Sequence, residues 1–230
     1  MDGAMQNTSH AVMAQRFESP ESLDNFPTPK WATRALLEEV LRAGPDFKKL
    51  SCWEPACGQG YMASVLGEYF GSVKASDIHA YGYGEVYDFL ASGLFNPNEA
   101  AAEHDWIITN PPFRLGEEFI LLALKRARKG VAMLTRTVFL ESVGRYERLF
   151  SVHPPTYFAQ FTERVPMVKG RVDAKASTAT GYCWLVWKKP PAATPVLRWI
   201  PPCRKRLERA GDYLDPAAGP PQMTLPGVEG

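Results

Sequence analysis

Two consecutive prolines, Pro111 and Pro112, directly follow a short apolar run, Trp106-Ile107-Ile108-Thr109. Proline fixes φ at about −65° and offers no backbone donor. It also pushes the residue before it toward extended geometry. A strand over 106–109 must therefore stop at Asn110. Beyond it the chain makes a stiff turn, Asn110-Pro111-Pro112-Phe113, that presents an amide and carbonyls, with an aromatic ring at its end. If the run is a buried strand of an open α/β sheet, the turn lies at the carboxyl end, where such sheets bind ligands.

Strand and helix patterns alternate on both sides of this turn. Helices are expected at Trp31–Leu41, Tyr61–Tyr69, Gly116–Arg128 and Val143–Phe150. Strands are expected at Ser51–Glu54, Val73–Asp77, Val86–Tyr87, Trp106–Thr109, Val131–Leu134, Thr156–Gln160 and Tyr182–Lys188. Alternation of this kind implies an α/β fold with a doubly wound, mainly parallel, seven-stranded Rossmann-like sheet. The last two strands, joined by a polar connection, read as an antiparallel C-terminal hairpin closing one edge. Residues 1–22 read as a flexible arm and 23–190 as the main domain. Residues 191–230 read as a Pro/Gly-rich extension with a short charged helix at Cys203–Tyr213, and its far end reads as disordered.

With 230 residues the chain is long enough for one large α/β domain. No apolar run is long enough to span a membrane, and the N-terminus lacks a signal-peptide core. Cys52, Cys57, Cys183 and Cys203 form no CxxC pair and no metal-ligand spacing. They read as reduced packing thiols in a cytoplasmic protein without a metal. His79, His104 and His153 show no partner pattern.

The net charge of +1 conceals a segregation. Residues 1–113 hold 7 Lys/Arg against 15 Asp/Glu, residues 114–175 hold 12 against 6, and residues 176–230 hold 7 against 4. An acidic front and a basic rear suggest a polyanion touching one side, although surface charge also clusters by chance. Candidate nucleic-acid contacts are Arg114, Arg136, Arg145, Arg164, Lys169, Arg171 and Lys175. The stretch Phe161–Thr180 reads as a basic loop that orders on DNA, or as a solvated hairpin. Arg198, Arg204, Lys205, Arg206 and Arg209 read as a solvated helical cluster.

Three further segments suit ligand chemistry. Glu54-Pro55-Ala56-Cys57-Gly58-Gln59-Gly60 is a strand-loop-helix turn whose glycines allow close backbone approach. It is neither a full GxGxxG fingerprint nor a P-loop. Glu54 at its mouth disfavours phosphate and suits a cationic group. Asp77 ends the next strand, at the separation where a carboxylate accepts from ribose hydroxyls, or is a turn Asp capping a helix, and Ile78 could pack on a purine. Asp88-Phe89 follows the third strand and could take an exocyclic amine and its ring; Asp88 alone could equally be a solvated loop residue.

Together these residues resemble the S-adenosylmethionine-dependent N6-adenine DNA methyltransferases. Asn110–Phe113 matches that family's Asn/Asp-Pro-Pro-aromatic motif. Glu54–Gly60 matches its cofactor loop, and Asp77 and Asp88-Phe89 match the next two motifs. Phe26-Pro27-Thr28-Pro29 resembles the segment covering the cofactor's methionine end. The likeness spans about residues 24–135, with five motifs in order.

The resemblance implies Asn110, Pro111, Pro112 and Phe113 as catalytic. It implies Phe26, Thr28, Glu54, Ala56, Gly58, Gly60, Asp77, Ile78, Asp88, Phe89 and Asn110 as binding S-adenosyl-L-methionine. The acceptor implied is the N6 amine of a flipped adenine in duplex DNA. The gap between Asp88 and Asn110 is too short for a large recognition domain, so a recognition element must follow residue 113. That spacing suggests a compact phage-type or orphan enzyme with a short or relaxed target sequence. An RNA N6-adenine methyltransferase, a protein-glutamine N5 methyltransferase and a catalytically silent cofactor-binding subunit are the alternatives.

Overall fold

A computed structural model describes residues 24–91, 104–191 and 194–218. The expectations for the N-terminal arm and for the far end of the C-terminal extension lie outside these. The chain folds as mixed α/β around an eight-stranded sheet in the order β3-β2-β1-β4-β5-β7-β6-β8. Its strands are β1 (Ser51–Glu54), β2 (Ser72–Asp77), β3 (Glu85–Val86), β4 (His104–Thr109), β5 (Ala127–Arg136), β6 (Tyr157–Phe161), β7 (Tyr182–Lys188) and β8 (Val196–Ile200). All pairings are parallel except those that β7 makes with β5 and β6.

Helix α1 (Lys30–Ala35) begins behind Pro29 and runs on as wider turns through Leu36–Val40. Helix α2 is Tyr61–Tyr69 and α3 is Gly116–Arg126. Helix α4 (Val143–Arg145) continues through Tyr146–Phe150, and α5 is Arg204–Leu207. Glu117 and Glu118 in the first turn of α3 and Lys125 and Arg126 in its last complement the helix dipole.

Side chains alternate between the two faces of the sheet, as strand geometry requires. Ile108, Ala132, Leu134, Trp184 and Val186 join Trp31, Leu36, Leu37, Val65 and Leu66 in one core under α1 and α2. Ile107, Val131, Met133, Leu185 and Trp187 join Phe119, Ile120 and Ala123 in a second core under α3. β4, β5 and β7 thus bury both faces, which explains their unbroken apolar runs.

Two features depart from the sequence reading. α3 ends at Arg126, and β5 follows at once and spans ten residues. Arg128, near the start of β5, bonds Asp105 Oδ1 at 3.2 Å, so a charged stretch is held in the sheet. The second departure is β8, which pairs with β6 from Tyr157↔Val196 to Phe161↔Ile200. The hairpin strand β6 is therefore covered rather than closing the sheet, and β8 forms the edge. Its proline-rich flanks and exposed side chains suit an edge position, and they hide its strand character.

A buried ionic knot fastens this C-terminal stretch. Arg34, 2% exposed, donates to both carboxylate oxygens of Asp212 (2.7 and 3.0 Å), both of Glu68 (2.7 and 3.0 Å) and the Leu207 carbonyl (2.8 Å). Burial would lower the pKa of Arg34, but the bonds from Glu68 and Asp212 outweigh it and hold it above the usual value. Nearby, Arg206 pairs with Glu38 and Glu39, and Arg209 with Glu68. Two residues of the expected solvated basic cluster, Arg206 and Arg209, are thus paired with the acidic front half.

Removing one partner of a buried ion pair typically costs about 3–5 kcal/mol. Asp212→Ala should lower unfolding stability by that order, read from the denaturant midpoint, whereas Arg206→Ala, at an exposed pair, should shift it little. Equal effects would show that the knot is not the main fastening.

Candidate active site

β1 runs to β2 on one side of the sheet, and β4 lies on the other side of β1. The connections therefore diverge at β1 and β4, and a crevice opens at their carboxyl ends. Glu54, Asp77 and Asn110 end β1, β2 and β4 or directly follow them, so the sheet itself brings the three together.

The glycine loop after β1 is tied to the end of β2. Gly58 N donates to Asp77 Oδ2 at 2.9 Å, and Cys57 N donates to the Ser76 carbonyl. His79 N donates to the other Asp77 oxygen at 3.0 Å. Gly60 has φ +85°, and a Cβ there would meet the Tyr83 ring at 2.4 Å, so only glycine fits. Gly60 shapes the loop without lining the crevice.

The crevice has a volume of about 380 Å³. Phe26, Thr28, Glu54, Ala56, Gly58, Asp77, Ile78, Asp88, Phe89 and Asn110, all expected around one ligand, line it together. Their settings differ. Ile78 is exposed at the mouth. Phe89 is 1% exposed, wedged between Trp53 and Phe119 at ring distances of 5.1 and 5.0 Å, so it forms the floor. Asp88 Oδ1 caps its own turn through the N–H groups of Leu90 and Ala91.

Glu54 is buried, and its Oε2 has no hydrogen-bond partner. Burial, reinforced by the charge of Asp77, pushes its carboxyl well above the usual range. Burial likewise raises the Cys57 thiol, with Glu54 and Asp77 adding to it. Thr28 Oγ1 is a second buried oxygen without a partner on this wall. Orphaned buried oxygens are rare in proteins; these two line the crevice, whereas Thr33 Oγ1 and Thr109 Oγ1, also buried without a partner, lie outside it.

At the turn, Asn110 Nδ2 donates to the Phe26 carbonyl at 3.0 Å, with the Met167 sulfur 3.9 Å away. Of the two ends of the side-chain amide only the nitrogen can donate, so this contact fixes which way the amide points. Asn110 Oδ1 is left buried and unpartnered. Phe113 N donates to Asp24 Oδ2 at 2.6 Å, and the Phe113 ring lies 5.3 Å from that of Phe26. The guanidinium of Arg136 sits 3.8 Å from the centre of the Phe113 ring.

Behind the turn lies a second pocket of about 160 Å³, lined by Pro111, Phe113, Thr135, Arg136, Phe139 and Arg145 among others. The turn is thus the wall between two cavities, with Asn110 and Pro112 on the larger and Pro111 and Phe113 on the smaller.

The expected basic residues divide into two groups. Arg136 and Arg145 stack on Phe113 and Phe139 at the smaller pocket, and Arg114 is exposed just after the turn. Arg164, Lys169, Arg171 and Lys175 lie on the connection between β6 and β7. Arg164 bonds the Ala179 carbonyl, and Arg171 pairs with Asp173. That connection is anchored over the site, because Gly170 N donates to the Asn25 carbonyl at 2.8 Å. Sequence reasoning missed Asp24, Asn25 and Met167. Their contacts with the turn and the loop join distant parts of the chain, and only the adjacent Phe26 motif hinted at them.

Among the described residues, no helix is long and apolar enough to cross a membrane. No protein-family model matches the sequence, and no curated protein resembles it closely enough to match. Solved structures do resemble the fold. A protein described as an RNA methyltransferase from Pyrococcus horikoshii aligns with a TM-score of 0.54 at 18% identity, over 77% of this chain and 94% of its own. A protein described as a modification subunit of a type I restriction enzyme from Vibrio vulnificus YJ016 aligns at 0.52 and 15%, over 73% of this chain and 45% of its own. This chain therefore spans less than half of that subunit. A class I methyltransferase from Listeria monocytogenes aligns at 0.51 and 12%, over 78% of this chain and 67% of its own. At such identities the likeness is one of fold, and together with the strand order and the crevice at β1 and β4 it gives this chain the fold of the class I S-adenosylmethionine-dependent methyltransferases.

Proposed function

We propose that the protein transfers a methyl group from S-adenosylmethionine to the exocyclic N6 amine of adenine in DNA, acting on a flipped base within a short or relaxed target sequence. The observation that carries this reading is the Asn110 amide. Its nitrogen is pinned by the Phe26 carbonyl, and its oxygen is left buried, unpartnered and on the crevice wall.

The lining suits this cofactor. The orphaned Glu54 oxygen would take its ammonium, Asp77 its ribose hydroxyls and Asp88 its adenine amine, with Phe26, Thr28, Ala56, Gly58 and Ile78 completing the walls. When bound, the cofactor supplies an electrophilic methyl group. Asn110 Oδ1 and the Pro111 carbonyl accept hydrogen bonds from an arriving amino group. In doing so they draw its nitrogen lone pair out of conjugation and aim it. This is catalysis by orientation and fixed dipoles, and it needs no strong base, because a methylated cationic amine loses its proton readily.

The smaller pocket, walled by Pro111 and Phe113, would receive the planar acceptor, since a base must leave the duplex to be reached. Arg114, Arg136 and Arg145 beside the smaller pocket, with Arg164, Lys169, Arg171 and Lys175 on the β6–β7 connection, would contact the phosphate backbone. The description of the Vibrio subunit favours DNA, and that of the Pyrococcus protein would favour RNA.

Tritiated S-adenosylmethionine offered with duplex DNA, RNA and a release-factor peptide should leave label in N6-methyldeoxyadenosine. Label confined to RNA or to glutamine would replace this reading by one of the alternatives. Asn110→Ala should abolish transfer while cofactor affinity stays within a few-fold. Loss of cofactor binding in that variant would make the turn mainly structural.

Glu54 makes binding depend on pH. Its carboxyl is held protonated above its ordinary range by burial and by Asp77, and a cation docking beside it favours the ionised form. Cofactor binding should therefore release a proton between the ordinary and the raised pKa, so affinity should rise with pH through that window. Calorimetry in two buffers of different ionisation enthalpy reads the release, which Glu54→Gln should remove. Equal release by wild type and variant would show that Glu54 does not meet the charged group.

A further inference from the structure

The two prolines leave positions 111 and 112 without backbone donors, so Phe113 N–H is the first donor after Asn110. It goes to Asp24 Oδ2 at 2.6 Å, a short hydrogen bond that ties this limb of the turn to the carboxylate. At the other end of the turn, the Asn110 amide is held by the carbonyl of Phe26 at 3.0 Å. Both ends of the turn are therefore fixed by residues two apart on one extended segment. Asn25, between them, fastens that segment in turn. Its carbonyl accepts from Gly170 N at 2.8 Å, and its Nδ2 donates to Gln59 Oε1 in the glycine loop at 3.4 Å.

Asp24 differs from its neighbours in being solvent-exposed. Removing its carboxylate uncovers no core contact, so its interaction with the turn can be tested apart from folding. It also stands on the rim of the larger crevice, close to where an amino group would be presented.

We propose that Asp24 is a positioning residue for group transfer. Its carboxylate holds the Pro-Pro-Phe limb so that the Asn110 oxygen and the Pro111 carbonyl keep a common aim. The proposal rests on the reading of the preceding section that this turn receives the acceptor amine. Asp24 acts through backbone geometry and touches neither reacting atom. Loss of the bond leaves the limb free to turn about the ψ angles that the prolines do not fix, which lowers the turnover rate more than it lowers affinity.

The test pairs Asp24→Ala with Asp24→Asn, which keeps an acceptor oxygen of the same shape but no charge. Asp24→Ala should lower kcat at least 10-fold, with KM for the acceptor and cofactor affinity within 3-fold and an unchanged Tm. Asp24→Asn should recover most of the rate. A second reading needs no activity. The Phe113 amide, followed by NMR, should resonate downfield and exchange slowly in wild type and in Asp24→Asn, and should lose both traits in Asp24→Ala. An amide indifferent to Asp24→Ala overturns the proposal, as does a responsive amide with unchanged kcat. So does an Asp24→Asn variant as slow as Asp24→Ala, which would make the charge itself the active feature. If DNA adenine is not labelled at all, the preceding reading fails. Asp24 is then judged by the same variants on whichever acceptor is labelled, and by the Phe113 amide.

Discussion

Everything in the site depends on three strands, β2, β1 and β4, ending side by side where the connections diverge. Parallel pairing sets this register, with Glu54 opposite Ala75 and Trp53 opposite Ile107. At that edge the sheet's backbone groups run out of strand partners, so side chains and loop amides must serve instead. Asp77 does so by taking the N–H groups of Gly58 and His79. Glu54 Oε2, Thr28 Oγ1 and Asn110 Oδ1 find no partner. An unmet buried polar group costs about 1–3 kcal/mol. The fold tolerates several of them around one crevice, and places where local rules are broken without structural compensation are where function is to be sought.

How far this was legible in the sequence follows from the range of each interaction. The ends of β1, β2 and β4 are marked locally, by Pro55, by Asp77-Ile78 and by the double proline, and each mark survives without knowledge of the rest. The glycine loop is local too. The fastening of the C-terminal stretch is not. Arg34 and Asp212 lie 178 residues apart, and neither sits in a pattern that names the other. β8 fails to announce itself for a related reason. An exposed edge strand next to prolines lacks the apolar alternation by which strands are read, and it becomes a strand only because β6 offers it a partner.

The charge segregation shows both outcomes in one signal. The acidic front and basic rear suggested a polyanion on one side. Part of the contrast is instead settled within the molecule, where Arg206 meets Glu38 and Glu39 and Arg209 meets Glu68. A count of charges cannot separate pairs that close on folding from charges that stay available. Arg136 and Arg145 stand beside the smaller pocket and Arg114 at the turn's end, while on the β6–β7 connection Arg171 is itself paired with Asp173.

The turn itself explains why two prolines serve better than any other pair. An extended backbone sends successive residues to opposite sides, so a stiff turn at a strand end can wall two cavities at once. Asn110 and Pro112 border the larger crevice, Pro111 and Phe113 the smaller pocket. A flexible turn would let the Asn110 amide and the Pro111 carbonyl drift apart in direction, and under the proposed function their common orientation is what the turn would contribute. The same stiffness limits how a planar acceptor can arrive. Arg136 already lies over the Phe113 ring at 3.8 Å, the stacking distance a base would use. Under the proposed function, a planar acceptor stacking on that face would have to displace the guanidinium.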